Sequence, residues 1–203
     1  MYVKICGLRD PAHAAHAVRA GADAVGVVMS EGSPRHATAA EATAVIAAAR
    51  AVRGDIDTVL VVREMPAHEA AETAARLGFD VLQLHGGYTR DDFAAAAAIH
   101  PRIWRAASLA AHPGLRAGDY GEERLLVDSA VAGSGEPWDL GLIAGAELGS
   151  EWLLAGGLSP DNVREALATA QPGGVDVSSG VETAPGEKSL ELISRFIEAA
   201  RAG

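Results

Sequence analysis

Eight short apolar runs punctuate the 203 residues, and alanine-rich stretches of helical period separate most of them. The runs fall at 2–6, 24–29, 58–62, 81–85, 103–107, 125–129, 152–155 and 175–178. Helical patterning occupies 11–20, 39–52, 67–77, 90–99, 140–147 and 161–170, and a last stretch at 190–202 closes the chain. A strand followed by a helix-length crossover is the unit of parallel sheets, because parallel neighbours cannot be joined by a tight turn. Eight such units predict a (β/α)8 (TIM) barrel of the α/β class with short loops, compact for a fold that usually takes about 250 residues. The alternative is a doubly wound open sheet. It usually brings a G-x-G-x-x-G turn after the first strand, and none stands there. Between the fifth and sixth runs, Pro113, Gly114, Gly118 and Gly121 reduce the fifth helix to a short one or none. No linker or shift of composition divides residues 1–203, which read as one domain.

Local signals agree with this placement. Asp10-Pro11 pairs an N-cap with a proline suited to the first turn, Thr38 with Glu41 forms a capping box, and Ser159-Pro160 predicts a third helix start. Gly21 and Gly78, each two residues before an aspartate, read as helix C-caps. The two-residue strand period then sorts side chains between the faces of the sheet. Lys4 and Cys6 share a face opposite Val3 and Ile5. Gln83 and His85 lie opposite Leu82 and Leu84, and Asp176 and Ser178 lie opposite Val175 and Val177. Helices cover the outside of such a barrel, so the apolar faces belong outside and the polar set points inward. Charge inside a closed sheet is costly unless paired, which predicts a Lys4–Asp176 pair and a polar site near the strand ends.

Composition narrows the functions available. A net charge of −10 and a pI near 5.1, with no cluster of Lys or Arg, argue against nucleic acid and anionic membrane as partners. A single cysteine excludes an intrachain disulfide and a cysteine-rich metal site. The chain enters a strand without the pattern of a signal peptide, and charges break every long apolar run. A soluble cytoplasmic protein acting on a small molecule is expected.

The residues able to carry chemistry sit at strand ends. Cys6 ends the first strand, where parallel α/β folds place their chemistry, although cysteine often serves only as a small buried hydrophobe. Asp128 ends the sixth as an acid, a base or a cap of its own loop. Arg35, in Ser33-Pro34-Arg35, can hold a carboxylate with its guanidinium fork or simply face solvent. Gly156-Gly157 and Ser178-Ser179-Gly180 follow the seventh and eighth strands, where many barrels bind phosphate on backbone N–H groups. A third glycine-rich loop stands at Gly133-Ser134-Gly135. His85 has no second ligand at metal spacing, so no metal role is assigned to it.

In this order the strings KICGL (4–8), SPR (33–35), LQLHG (82–86), LLVDS with GSG (125–135), LAGGLSPDNV (154–163), GVDVSSGVE (174–182) and PGEKS (185–189) run the length of the chain. With them the sequence resembles the phosphoribosylanthranilate isomerase family of tryptophan biosynthesis. The resemblance implies a (β/α)8 barrel with Cys6 as general base and Asp128 as general acid. It also implies that Arg35 contacts the anthranilate carboxylate, with the loops at Gly156-Gly157 and Ser178–Gly180 around the phosphate; Lys4, Gln83, His85 and Asp176 complete the substrate-binding set. The implied reaction is an Amadori rearrangement of an aminoaldose to an aminoketose, which needs neither cofactor nor metal. A monomer or homodimer is expected. Departures fall at Trp138-Asp139-Leu140, Gly87, Ser189 and Val61-Val62-Arg63, away from the acid and base. Other sugar-phosphate isomerases or epimerases share the phosphate loops but not Cys6, Arg35 and Asp128 together. A non-catalytic phosphate-binding barrel would not need the acid and base, and a dual-substrate relative usually has Asp in place of Cys6.

Overall fold

A computed structural model describes residues 1–128, 143 and 146–202. Eight parallel strands close into a barrel in chain order: β1 (Tyr2–Ile5), β2 (Ala24–Val28), β3 (Asp57–Val62), β4 (Val81–His85), β5 (Ile103–Ser108), β6 (Arg124–Asp128), β7 (Trp152–Leu154) and β8 (Gly174–Val177). Four helices lie in the first four crossovers: α1 (Pro11–Ala20), α2 (Ala39–Val52), α3 (Ala67–Leu77) and α4 (Arg90–Ala97). After β7 comes α5 (Val163–Ala170), and α6 (Leu190–Arg201) follows β8. No helix forms between β5 and β6, where glycine and Pro113 leave only turns. The expected helix at 140–147, the loop at 133–135, Ser129 and Trp138-Asp139-Leu140 lie outside the described residues, apart from scattered positions of that helix.

Caps hold most helix starts where the residues put them. The Asp10 carboxylate accepts from Ala12 N at 2.7 Å, and Thr38 and Glu41 form both halves of a capping box. Gly21 and Gly78 adopt left-handed conformations and close α1 and α3. The start at Ser159-Pro160 is a correction. Helix α5 begins at Val163, because the Asn162 side chain turns back to accept from Ser159 N and donate to Gly157 O, both at 2.8 Å. Several ends also move inward by one or two residues; α4 stops at Ala97 rather than 99, and β1 at Ile5 rather than Cys6. Ser189, one of the departures, caps α6 by accepting from Leu192 N.

Outside the sheet, Val3, Ile5, Leu60, Leu82, Leu84, Val127 and Val175 join helix residues such as Val45, Ile46, Phe196 and Ile197 in one continuous core. Their spacing on α2 and α6 is that of a single helical stripe. The interior is different. Cys6, Ala24, Val59, Val61, Trp104, Ala106, Leu126 and Leu153 surround Lys4, Gln83 and Asp176. Lys4 is fully buried, is the register partner of Asp176 on β8, and donates from Nζ to Asp176 Oδ1 at 2.8 Å. At the floor, Tyr2 donates to Asp57 at 2.6 Å and packs edge-on to Trp104, and the Arg124 guanidinium lies 4.2 Å from the Tyr2 ring centroid.

Beyond β8 a 3-10 turn (Ser179–Val181) leads into an antiparallel hairpin of β9 (Glu182–Ala184) and β10 (Glu187–Lys188). The strand-and-helix pattern gave no sign of it.

A buried ion pair is lost far more cheaply as a pair than by halves. Lys4→Met alone should cost about 3–5 kcal/mol by leaving Asp176 uncompensated. The double replacement Lys4→Met/Asp176→Leu should recover most of that loss in urea unfolding. Equal losses for the single and double variants would contradict a paired interior.

Candidate active site

All eight strands run the same way, so their C-terminal ends collect on one face of the barrel. A cavity of about 730 Å³ opens there. Of the residues predicted for the site, it is lined by Cys6, Arg35, Gln83, His85, Asp128, Asp176, Ser178 and Ser179. Lys4, Gly156, Gly157 and Gly180 do not line it. Val61 and Arg63, from the stretch that departs from the family pattern, form part of its wall.

Cys6 follows β1 directly, and its backbone N–H donates to Val177 O at 2.8 Å, which fixes the thiol between β1 and β8. Burial pushes this thiol up, the Lys4 charge pulls it down and the Asp176 charge pushes it up again. The net value stays above that of an ordinary cysteine. Lys4 stands two residues back on the same face, where a cation would lower the thiol. Lys4 does pull that way, but from inside a dry barrel that penalises thiolate more. Burial likewise works against the Lys4 charge. Asp176 and Cys6 outweigh it and hold the ammonium above its usual range.

Across the cavity, Asp128 closes β6 and His85 closes β4, with His85 Nε2 3.3 Å from Asp128 Oδ2. Between them in the ring stands β5, whose Ala106 also lines the cavity and leaves room for the two longer side chains to meet. Gln83 is almost fully buried, and its Oε1 has no hydrogen-bond partner among the described residues. An unmatched acceptor at a cavity wall is a place for a ligand donor.

Arg35 is held at the cavity rim by the loop after β2. Its own N–H donates to Ser33 Oγ at 3.2 Å, and two residues on, Ala37 N returns to Val28 O at 2.8 Å. Its guanidinium is engaged by Glu182 through Nε and Nη2, both at 2.8 Å. Lys188 Nζ donates to the same carboxylate at 2.6 Å and to Ser178 O at 2.9 Å.

The loops after β7 and β8 meet. Gly156 and Gly157 are both left-handed, at φ 79° and 62°. Gly180 touches the β7 loop so closely that a Cβ there would lie 1.8 Å from Leu158 O. Ser178 Oγ donates to Cys6 O at 3.2 Å and ties the turn after β8 to the end of β1. Ser179, one residue further, lines the cavity. Asn162, Glu182 and Lys188 were not singled out. Glu182 reaches the distant Arg35, whereas Asn162 and Lys188 bond groups in neighbouring turns, and only the family strings that contain them marked these positions.

This constellation places a thiol, a carboxyl with a histidine beside it, an arginine and two abutting glycine-rich turns around one space. It suits acid–base chemistry on a small molecule with anionic groups at both ends. Among the described residues no helix is long and apolar enough to cross a membrane.

Comparison with known proteins agrees. The sequence matches the family described as N-(5'phosphoribosyl)anthranilate (PRA) isomerase over residues 3–199. An N-(5'-phosphoribosyl)anthranilate isomerase from Hyphomonas neptunium is 37% identical over 98% of this chain and 97% of its own length. The crystal structure of TrpF from Jonesia denitrificans is 50% identical, with a TM-score of 0.89 over 100% of this chain and 97% of that one. A phosphoribosyl anthranilate isomerase solved with reduced 1-(o-carboxyphenylamino)-1-deoxyribulose 5-phosphate is 27% identical, with a TM-score of 0.84 over the full length of both chains. The chain belongs to the N-(5'-phosphoribosyl)anthranilate isomerase family.

Proposed function

We propose that this barrel isomerises N-(5'-phosphoribosyl)anthranilate to 1-(2-carboxyphenylamino)-1-deoxyribulose 5-phosphate in tryptophan biosynthesis, with Cys6 as general base and Asp128 as general acid. The observation that carries the reading is that these two residues line one cavity, with Arg35 on its rim and the turn at Ser178-Ser179 beside it. The protein works in the cytoplasm as a monomer or homodimer. Its net charge of −10 argues against nucleic acid as a partner.

Asp128 donates a proton to the ring oxygen, the bond from that oxygen to C1 breaks, and an iminium forms between C1 and the anthranilate nitrogen. The positive charge acidifies the C2 proton, which Cys6 removes. The electron pair forms the C1–C2 double bond of an enolamine and quenches the iminium. Protonation at C1 and loss of the C2 hydroxyl proton give the ketone, and nothing is oxidised overall. Burial raises the free thiol, so Cys6 gives its proton to solvent before it acts as base, and the positive charge of the iminium then stabilises the thiolate. His85 orients the Asp128 carboxyl, Lys4 and Asp176 hold the environment of the thiol, and Gln83 Oε1 accepts from the substrate. Arg35 binds the anthranilate carboxylate. Backbone N–H groups of the loops at Gly156-Gly157 and Ser178–Gly180 bind the phosphate.

Followed by the loss of substrate fluorescence, Cys6→Ala and Asp128→Asn should each lower kcat by about 10²–10⁴ with little change in binding of the reduced product analogue. Near-full turnover in Cys6→Ala would remove the thiol from the mechanism. The rate at which iodoacetamide alkylates Cys6 follows the thiolate fraction of the free enzyme against pH, and that thiol lies above the ordinary cysteine value. The rate should therefore still be rising where an unperturbed thiol would have levelled off, and a plateau already at neutral pH would contradict this. Gly180→Ala should push the two phosphate loops apart and raise KM much more than it changes kcat. An unchanged KM would place the phosphate elsewhere.

A further inference from the structure

The hairpin β9–β10 forms part of the cavity wall, through Thr183, Ala184 and Pro185, yet the acid–base chemistry assigns it nothing. We infer that Glu182 is a positioning residue for Arg35, and that the hairpin decides which edge of the guanidinium meets the substrate carboxylate. The inference rests on the proposed role of Arg35 and specifies how that role is achieved.

A guanidinium carries five N–H donors in a rigid plane and presents two forked edges able to grip a carboxylate. Glu182 occupies the edge made by Nε and Nη2, with both contacts at 2.8 Å. What remains is the edge made by Nη1 and the second hydrogen of Nη2, which is again a two-donor fork. Arg35 is thus pre-oriented, and a substrate carboxylate need not first order a mobile arginine.

The pair is nearly dry, with side-chain exposures of 14% for Arg35 and 4% for Glu182. Buried ion pairs hold their geometry only when the remaining lone pairs are satisfied. Lys188 does this, donating to Glu182 Oε1 at 2.6 Å while its other bonds go to Ser178. Burial pushes the Glu182 carboxyl up, but the hydrogen bonds from Arg35 and Lys188 outweigh it and hold the group below its ordinary range. Lys188 has a second effect. Arg35 with Glu182 alone is neutral, and the third charge returns the assembly to net positive, as recognition of an anion requires.

The hairpin is also anchored to the backbone that carries Arg35. Gly186, at φ 85°, sits so close to Pro34 that a Cβ there would fall 2.4 Å from Pro34 O. The same short element therefore touches the residue before Arg35 and the head group of Arg35 itself.

Calorimetry with two ligands tests this: reduced 1-(o-carboxyphenylamino)-1-deoxyribulose 5-phosphate and its counterpart lacking the carboxyl group. Glu182→Gln keeps the shape but not the charge, and should weaken the carboxylated ligand roughly tenfold or more while leaving the other nearly unchanged. In turnover, KM should rise with kcat little altered. Glu182→Asp retains the charge one methylene short and should fall between wild type and Glu182→Gln; it carries the test if Glu182→Gln fails to fold. Equal weakening of both ligands would make Glu182 a structural support only, and no weakening would leave it without a role. Either result overturns the inference and leaves the isomerase reading intact. A wild-type protein that binds both ligands equally would overturn the role of Arg35 and the inference with it. One that binds neither would overturn the proposed function as well.

Discussion

A charged pair inside a closed sheet is the constraint on which this structure turns. Lys4 and Asp176 face each other across β1 and β8 in a space that most small barrels fill with branched apolar residues. Such a pair is tolerated because each partner satisfies the other, and it places a fixed positive charge beneath a buried thiol. Small side chains near the strand ends, such as Ala106 and Ala155, keep the upper barrel open. Larger groups close the floor, where Tyr2, Trp104, Arg124 and Asp57 interlock. The polar interior is thus continuous with the cavity above, and the apolar work of folding falls on the outer face against the helices.

From that arrangement follows a division of labour around the strand ends. The first and eighth strands set the thiol, the fourth and sixth set the carboxyl with its histidine, and the second loop with the hairpin sets the arginine. Each group is positioned by a different part of the chain, and only closure of the ring brings them together. The thiol's elevated value fits this division, because a thiol that is mostly protonated is protected from adventitious chemistry in the empty site.

Much of this was legible in the sequence. Strand period alone assigned Lys4, Cys6, Gln83 and Asp176 to the inner face, because outer positions had to be apolar under helices. Helices with a local cap, at Asp10 and Thr38, began where expected. The start at Ser159-Pro160 failed because Asn162 spends its side chain on the preceding loop instead of on helix ends. The hairpin was illegible because strands of three and two residues carry no period, and the Arg35–Glu182 fork because it joins residues 147 positions apart, which no local periodicity records. The sign of the shift at Cys6 also escaped sequence reasoning. Spacing reveals a neighbouring lysine, but only the folded barrel reveals how little water reaches the sulfur.

The central claim is that the thiol of Cys6 takes the C2 proton after Asp128 has opened the ring. Single-turnover rates with substrate deuterated at C2 address that step directly, free of product release. The account predicts a several-fold slowing for the deuterated substrate in the wild type, and an effect that shrinks in Asp128→Asn as ring opening becomes slow. Identical rates for the two substrates in both proteins would contradict it.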